Sequence, residues 1–252
     1  MRKDRRKIIR VRIRRNRRFG YLYLPITLFC LVFPVYAPEA SDNVSLPARE
    51  SKQKSATIAA RKQTLSSLLS AAGELRRAND TKKAIQTLNE AGHLQLDLSQ
   101  PNEALATFQQ SRALLDQDID PVIKIDTLNG LAAAYNALTQ YSRAKLLLDD
   151  ARTLSDQNNY PAGKAEALLL LSECQNNESH GEALSTAGEA LSIWQSVGNQ
   201  RGIVRSHLAL GTYYYAQASL VEAEQNFQTA LDLARQIDDA LLQSESLVYL
   251  GF

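Results

Sequence analysis

Small side chains recur in this sequence at a nearly fixed interval, and that recurrence limits the fold more than any other feature. Gly92, Ala132, Ser172, Gly211 and Gly251 follow one another at spacings of 40, 40, 39 and 40 residues. A second series, Ala104, Ala144, Ala183 and Ala223, runs at 40, 39 and 40. Ahead of the first series stand Ala91, Leu131, Leu171, Leu210 and Leu250, and four positions before it Leu88, Leu128, Leu168, His207 and Leu247. Four positions after the second series are Phe108, Leu148, Ala187 and Phe227, and seven after it Ser111, Ala151, Ala190 and Ala230. Offsets of three, four and seven share one face of an α-helix. Each unit therefore reads as two helices, A then B, joined by a tight turn. A helix hairpin cannot bury its apolar face alone, so copies must stack. Helices approach closely only where a small residue meets a bulky one. The small residue of helix A admits the neighbouring helix B, and the alanines of B admit A and the next A.

Punctuation agrees with this frame. From about residue 57 onward the pattern is helical almost without break. Pro101, Pro121 and Pro161 fit first-turn positions, where a missing N–H costs nothing. Ser179-x-x-Glu182 and Ser219-x-x-Glu222 fit capping boxes at the start of helix B, and Asp120-Pro121 fits a helix start. Residues 57–79 predict one further helix. Segment 82–98 fits either helix B of a shorter unit spanning 65–98 or helix A of the next, and the 40-residue register favours the second. The predicted fold class is all-α, a solenoid of stacked antiparallel helix pairs over 57–252.

The formal charge of +2 hides a division. Residues 1–18 hold 11 of the 29 Lys and Arg and one of the 27 acids, so they carry +10 and the remainder −8. Residues 19–37 are uncharged and mostly apolar. A basic region before an apolar stretch and small residues is the layout of an export signal, with the positive charge kept on the cytoplasmic side. The stretch approaches the length of a membrane span. Val35-Tyr36-Ala37 supplies small residues for cleavage, but Pro38 follows, so a cleaved signal and a retained anchor both stand open. Phe29 before Cys30 argues against a lipoprotein, and Gly20 after Arg17-Arg18 weakens a twin-arginine reading. Eleven bases could also bind nucleic acid, but no aromatic platform accompanies them, and no nucleic-acid partner is expected. Residues 38–56 are polar, contain Pro38 and Pro47, and read as a flexible linker. The array is thus expected to be exported across the cytoplasmic membrane, either periplasmic or extracellular, or held at the membrane with the repeats outside.

Leu at the fourth position, Leu-Gly at the seventh and eighth, Tyr at the eleventh, Ala at the twentieth, an aromatic at the twenty-fourth and Ala at the twenty-seventh resemble the tetratricopeptide repeat. The clearest copy is His207-Leu210-Gly211-Tyr214-Ala223-Phe227-Ala230. The period of about 40 resembles the variant of bacterial regulators and kinesin-light-chain-type arrays. The third copy departs from the pattern at Ser172, Gln175 and Ala187. The resemblance implies a right-handed superhelix whose concave groove, lined by helix A, binds a protein or peptide. Groove positions carried over copy by copy are Gln86, Asn89 and His93; Asp126, Asn129 and Asn136; Glu166, Glu173 and Asn176; and Arg205, Thr212 and Tyr215. This set is polar and mildly acidic, with amides able to bond a peptide backbone. The same positions also read as solvated helix faces. Asn129 and Ala133 stand where chaperone-tail-binding relatives carry a basic residue and Asn, so that ligand is not expected.

Little else points to chemistry. Cys174 lies among Leu168 to Leu171 and reads as buried. Cys30 lies in the apolar segment, so no disulfide is expected. His93, His180 and His207 fall in three different repeats and give no metal spacing. Trp194 and Tyr213-Tyr214-Tyr215 follow helical core and groove positions. No phosphate loop, G-x-S-x-G or H-E-x-x-H occurs. No cofactor, metal, small-molecule substrate or catalytic activity is expected. The sequence stops at Leu250-Gly251-Phe252 inside helix A of a fifth unit, which leaves Leu247, Leu250 and Phe252 uncapped. A longer parent protein or a docking face would account for that. The first functional expectation is a non-catalytic interaction scaffold. The alternative is the regulatory or substrate-recruiting part of a longer enzyme, such as a caspase-like protease or signalling protein.

Overall fold

A computed structural model describes residues 48–178 and 181–251 of the protein. Among the described residues there are ten α-helices and no strand. They are α1 (Ala48–Arg77), α2 (Thr81–Asp97), α3 (Pro101–Ala113), α4 (Pro121–Ala137), α5 (Tyr141–Gln157), α6 (Pro161–Asn177), α7 (Ala183–Val197), α8 (Gln200–Ala216), α9 (Leu220–Gln236) and α10 (Ala240–Leu250). The basic head, the apolar segment 19–37 and its cleavage site lie outside the described residues. Among the described residues, no helix is long and apolar enough to cross a membrane. Helix α1 begins at Ala48, so residues 48–56 of the expected linker are helical. Their Ala, Arg, Glu, Lys and Gln are good helix formers, which outweighs the lack of apolar periodicity there.

Each helix packs on its neighbours in the chain, and the even-numbered helices also pack on one another: α2 on α4, α4 on α6, α6 on α8, α8 on α10. The backbones of the odd-numbered helices do not pack on one another. The even helices thus form a continuous inner layer and the odd ones a separated outer layer, as expected of a helical repeat solenoid. Segment 82–98 belongs to the inner layer as α2, in the register the 40-residue period favours.

Gly92 and Gly211 of the recurring series, and Gly130 and Gly202 outside it, sit where two helices come closest. A Cβ added at Gly92 or at Gly130 would fall within 3 Å of the Phe108 ring, so that ring from α3 is clasped between α2 and α4. Phe227 of α9 covers Gly211 of α8 in the same way, and Trp194 of α7 covers Gly202. Ala104, Ala132, Ala144 and Ala151 are fully buried in the cluster around Phe108 and Leu148. Adding a methyl group at such a seat forces displacement of a ring in a packed core, a cost of about 1–3 kcal/mol. His207, which stands in a Leu position, is only half-buried, and its Nδ1 lies 3.0 Å from Asn226 Oδ1.

Among the described residues, seven connections share one turn. The residue before each N-cap (Asn79, Ser99, Thr139, Asn159, Gly198, Ala218, Asp238) has φ between 51° and 70°. The next N–H donates to the carbonyl five residues back at 2.8–3.0 Å, as in Gln140 to Tyr135 and Tyr160 to Ser155. This closes the preceding helix and starts the next. Glycine occupies the left-handed position only at Gly198. The α3–α4 connection differs: α3 is short, and Asp116 Oδ1 accepts from the N–H groups of Asp118 and Ile119 at 3.0 and 3.1 Å. That turn drives Ile119 into a small cluster with Ile85 and Ile123.

Four of the five inner helices are capped by side chains. Asp80, Asp120, Asn199 and Asp239 accept from first-turn N–H groups of α2, α4, α8 and α10. Pro101, Pro121 and Pro161 occupy first-turn positions as expected. The capping box expected at Ser219 does not form. Ser219 holds the N-cap position of α9 but its side chain makes no capping bond. Helix α7 starts after Glu182, which makes no side-chain cap, and Ser179 lies outside the described residues. The shared turn already supplies the backbone bond at Ser219 N, to Tyr214 O at 2.9 Å.

Thr139 is the β-branched residue in this set of left-handed positions, at φ 59°. Left-handed geometry costs an L-residue about 1–2 kcal/mol, partly offset by the greater freedom glycine has when unfolded. Thr139→Gly is therefore expected to stabilise the chain by about 0.5–1 kcal/mol, read as a rise of a few degrees in Tm. An unchanged or lower Tm would show that the turn is not strained.

Candidate functional site

The inner layer encloses a cleft of about 860 Å³. Its walls come from α2, α4, the start of α6 and the start of α8, with Leu75 of α1 and Trp194 of α7. Six of the ten main groove candidates face it: Asn89, His93, Asp126, Asn129, Glu166 and Arg205, joined by Gln86. Asn136, Glu173, Thr212 and Tyr215 do not line it.

Several candidates are engaged in joining helices. Asn89 is 7% exposed; its Nδ2 donates to Thr127 Oγ1 at 2.9 Å and its Oδ1 accepts from Ser111 Oγ at 2.6 Å. One buried network thus ties α2, α3 and α4. Asn129 is 3% exposed and its Nδ2 donates to the carbonyl of Gly163 on α6 at 3.0 Å. Asn136 Nδ2 donates to Glu173 Oε2 at 3.0 Å, and Asn136 Oδ1 lies 3.4 Å from Cys174 Sγ. Arg205 Nη1 donates to both oxygens of Glu166, at 2.8 and 2.7 Å. These bonds run from one inner helix to the next along the layer. Burial makes them costly to leave unmade, so these side chains are not simply solvated.

Thr212 Oγ1 bonds its own helix, at Ala209 O. Tyr215 is 62% exposed on α8. His93 places its ring edge-on to Phe108, with centroids 5.1 Å apart, and is exposed to the cleft. Cys174 is a buried free thiol pushed up to about 12, chiefly by burial, which keeps it protonated.

Other cleft residues escaped the periodic reading because they lie at helix starts. Tyr160 is the N-cap of α6, where α2, α4, α8 and α10 carry Asp or Asn. Its hydroxyl crosses to α4 and donates to Asp126 Oδ1 at 3.2 Å. An aromatic in place of a capping acid is a departure from the repeat that can be read in the sequence. Arg201 of α8 pairs with Asp239 at 3.1 Å and reaches Asp97 of α2 at 3.9 Å, while Asp97 also meets Arg61 at 3.8 Å. The backbones of α2 and α8 do not pack together, so these long side chains span the cleft.

The electrostatics set two kinds of carboxylate apart. Burial alone would raise Glu166, but Arg205 overrides it and holds the carboxyl below its ordinary value. Asp126 has no such cation: burial raises it to about 6, with Glu166 and Asp120 adding to the rise and the Tyr160 hydroxyl opposing it. Glu173 is raised to about 7 by burial, against the pull of Arg205 and the bond from Asn136. Tyr160 itself is pushed up to about 12 by burial and by Asp126, so its phenol stays a donor.

No protein-family model matches the chain, and no curated protein matches it in sequence. Among solved structures, BtubC (BKLC) from P. vanneervenii is similar in fold, with a TM-score of 0.58. The two are 17% identical over 76% of this chain and 82% of that one. At this identity the likeness speaks for the helical fold alone.

The raised carboxylates predict a pH dependence of stability. The folded state holds protons on Asp126 and Glu173 up to about pH 6 and 7, while unfolded carboxyls release them near 3.8 and 4.5. The folded state binds more protons in that window, so stability falls as pH rises through it. Loss of hydration against the cleft wall lowers the His93 pKa, and this works in the opposite sense below its ordinary value of 6.5. The variants isolate the carboxylates. The Tm gain from pH 7.5 to pH 5 in the parent should shrink in the double variant Asp126→Asn, Glu173→Gln. An equal pH response in both would overturn the assignment.

Proposed function

We propose that this chain is a non-catalytic interaction scaffold of the tetratricopeptide-repeat type, coiled as a right-handed superhelix, and that it binds a protein or peptide segment along its inner face. The observation that carries this reading is the cleft itself. Four successive inner helices contribute polar side chains to one continuous wall. The amide of Gln86 and the exposed ring of His93 stand there beside the engaged residues. Amides and carboxylates of this kind suit backbone N–H groups and polar side chains of a ligand. The basic and apolar segments at residues 1–37 support export, or attachment to a membrane, with the repeats outside.

The test uses a photo-reactive amino acid placed singly at Gln86 or His93 in the full chain. The control is Gln109, which is exposed on the outer helix α3. The binding reading expects irradiation to join the inner positions, and not Gln109, to one defined segment of a partner protein. Adducts only from Gln109, or equally from all three positions, would contradict it.

A further inference from the structure

We propose that Asp97 of α2 and Arg201 of α8 form an ionic clasp that holds the cleft closed, and that a bound segment gains the inner face by parting it; the second half rests on the groove reading above. The helices that wall the cleft make a chain of backbone contacts, α2 on α4, α4 on α6 and α6 on α8. The two ends of that chain, α2 and α8, do not pack on each other. Side chains alone close the ring. Arg201 Nη2 lies 3.9 Å from Asp97 Oδ2, and Arg201 Nε lies 3.1 Å from Asp239 Oδ2. Asp97 Oδ2 is also 3.8 Å from Arg61 Nη1 on α1. One line of alternating charge thus runs from α1 through α2 and α8 to the N-cap of α10.

Leverage and strength make this bridge a moving part. A solenoid coils by a small rotation at each junction, so slight changes at successive junctions add up where α2 faces α8. The bridge resists them weakly. Ion pairs within reach of water contribute little and are screened by salt. The Arg201 side chain is 53% exposed and that of Asp97 31%, and the pair stands at long range. The contrast is with Arg205 and Glu166, 2.7 Å apart on α8 and α6, whose backbones also pack. That pair holds a junction that is already closed. The Asp97–Arg201 pair spans a gap.

The arrangement of partners suits opening. When the clasp parts, Asp97 keeps Arg61 on its own side and Arg201 keeps Asp239 on the other. Breaking an ion pair is costly chiefly where it strands a charge, and here neither charge is stranded. The clasp also stands at the cleft itself. Asp97 and Arg201 both line it, as do His93 one turn before Asp97 and Arg205 one turn after Arg201. His93 lies within electrostatic reach of Glu166, Arg205 and Arg201, so α2 faces α8 over a full helical turn. A segment that seeks Gln86 and His93 therefore meets the closed face first.

The protein supplies its own reporter. Trp194 of α7 borders the cleft and is the chain's single tryptophan. A fluorescent amino acid that accepts energy from tryptophan is placed in the full chain at Gln63, exposed on α1, the helix that packs on α2. A control chain carries it at Ser185, exposed on the helix of Trp194 itself. Salt is raised from about 0.01 M to about 1 M, which shortens the screening length from about 30 Å to about 3 Å. The clasp expects transfer to Gln63 to fall with salt in the parent, and to sit at the high-salt value throughout in Asp97→Asn and in Arg201→Gln. The double variant should match either single one. Arg61→Gln, which spares the bridge, should follow the parent, and transfer to Ser185 should not move. Melting curves check that each variant folds. A parent that ignores salt, or a folded Asp97→Asn chain that responds as the parent does, would overturn the clasp. Control of access is read from the cross-links at Gln86, whose yield should rise severalfold in Asp97→Asn. An equal yield in both chains would overturn that control while leaving the groove reading intact. Absence of links from Gln86 and His93 in both chains would count against the groove reading instead, and the clasp would still stand or fall on energy transfer.

Discussion

The Phe108 ring, held between two positions that have no side chain, is the contact on which the rest of the array depends. Gly92 and Gly130 belong to successive inner helices, and the same ring closes on both. Without a Cβ at either place, α2 and α4 can approach α3 closely enough to bury the ring completely. Phe227 on Gly211 and Trp194 on Gly202 repeat the device further along. Each such seat sets the distance between an outer helix and its inner neighbours. With small residues recurring about every 40 positions, the inner helices come into contact in series while the backbones of the outer ones stay apart.

A contiguous inner layer has an electrostatic consequence. Polar side chains on that face are partly removed from water, so each must find a partner on the next helix or bear the cost of burial. Asn89 to Thr127, Asn129 to Gly163, Asn136 to Glu173 and Glu166 to Arg205 are the solutions, and their partners lie 34 to 39 residues apart. Asp126 and Glu173 are incompletely served, which is why burial raises their pKa values while Arg205 lowers that of Glu166. The same geometry that builds the cleft therefore leaves specific acceptors within it unmet.

Much of this architecture was legible in the residues. The pairing of helices, the proline starts at Pro101, Pro121 and Pro161, the capping by Asp120 and the burial of Cys174 follow from period and local chemistry. The seats were legible as small residues opposite bulky ones, although Gly130, Gly163 and Gly202 lie outside the two repeating series. The turns were less legible, because the left-handed position is filled by Asn, Ser, Thr, Ala or Asp in six of seven cases, and only Gly198 signals it. The candidate site was half legible. Helical period gives the face on which Asn129 or Glu166 lies, but not the partner it meets about one repeat away. Tyr160 and Arg201 belong to helix starts, outside the face that period picks out. The helical residues 48–56 and the short α3 depend on propensity and on an Asp116 turn, neither of which a repeat pattern encodes.

The central claim is that stability in this array passes between neighbouring helices through the aromatic seats. Amide hydrogen exchange on the full chain, comparing the parent with Phe108→Leu, tests it most directly. If the seats carry the coupling, exchange should quicken together in α2, α3 and α4 and stay unchanged in α8 and α9. A uniform loss of protection along the whole array, or a change confined to α3, would contradict the account.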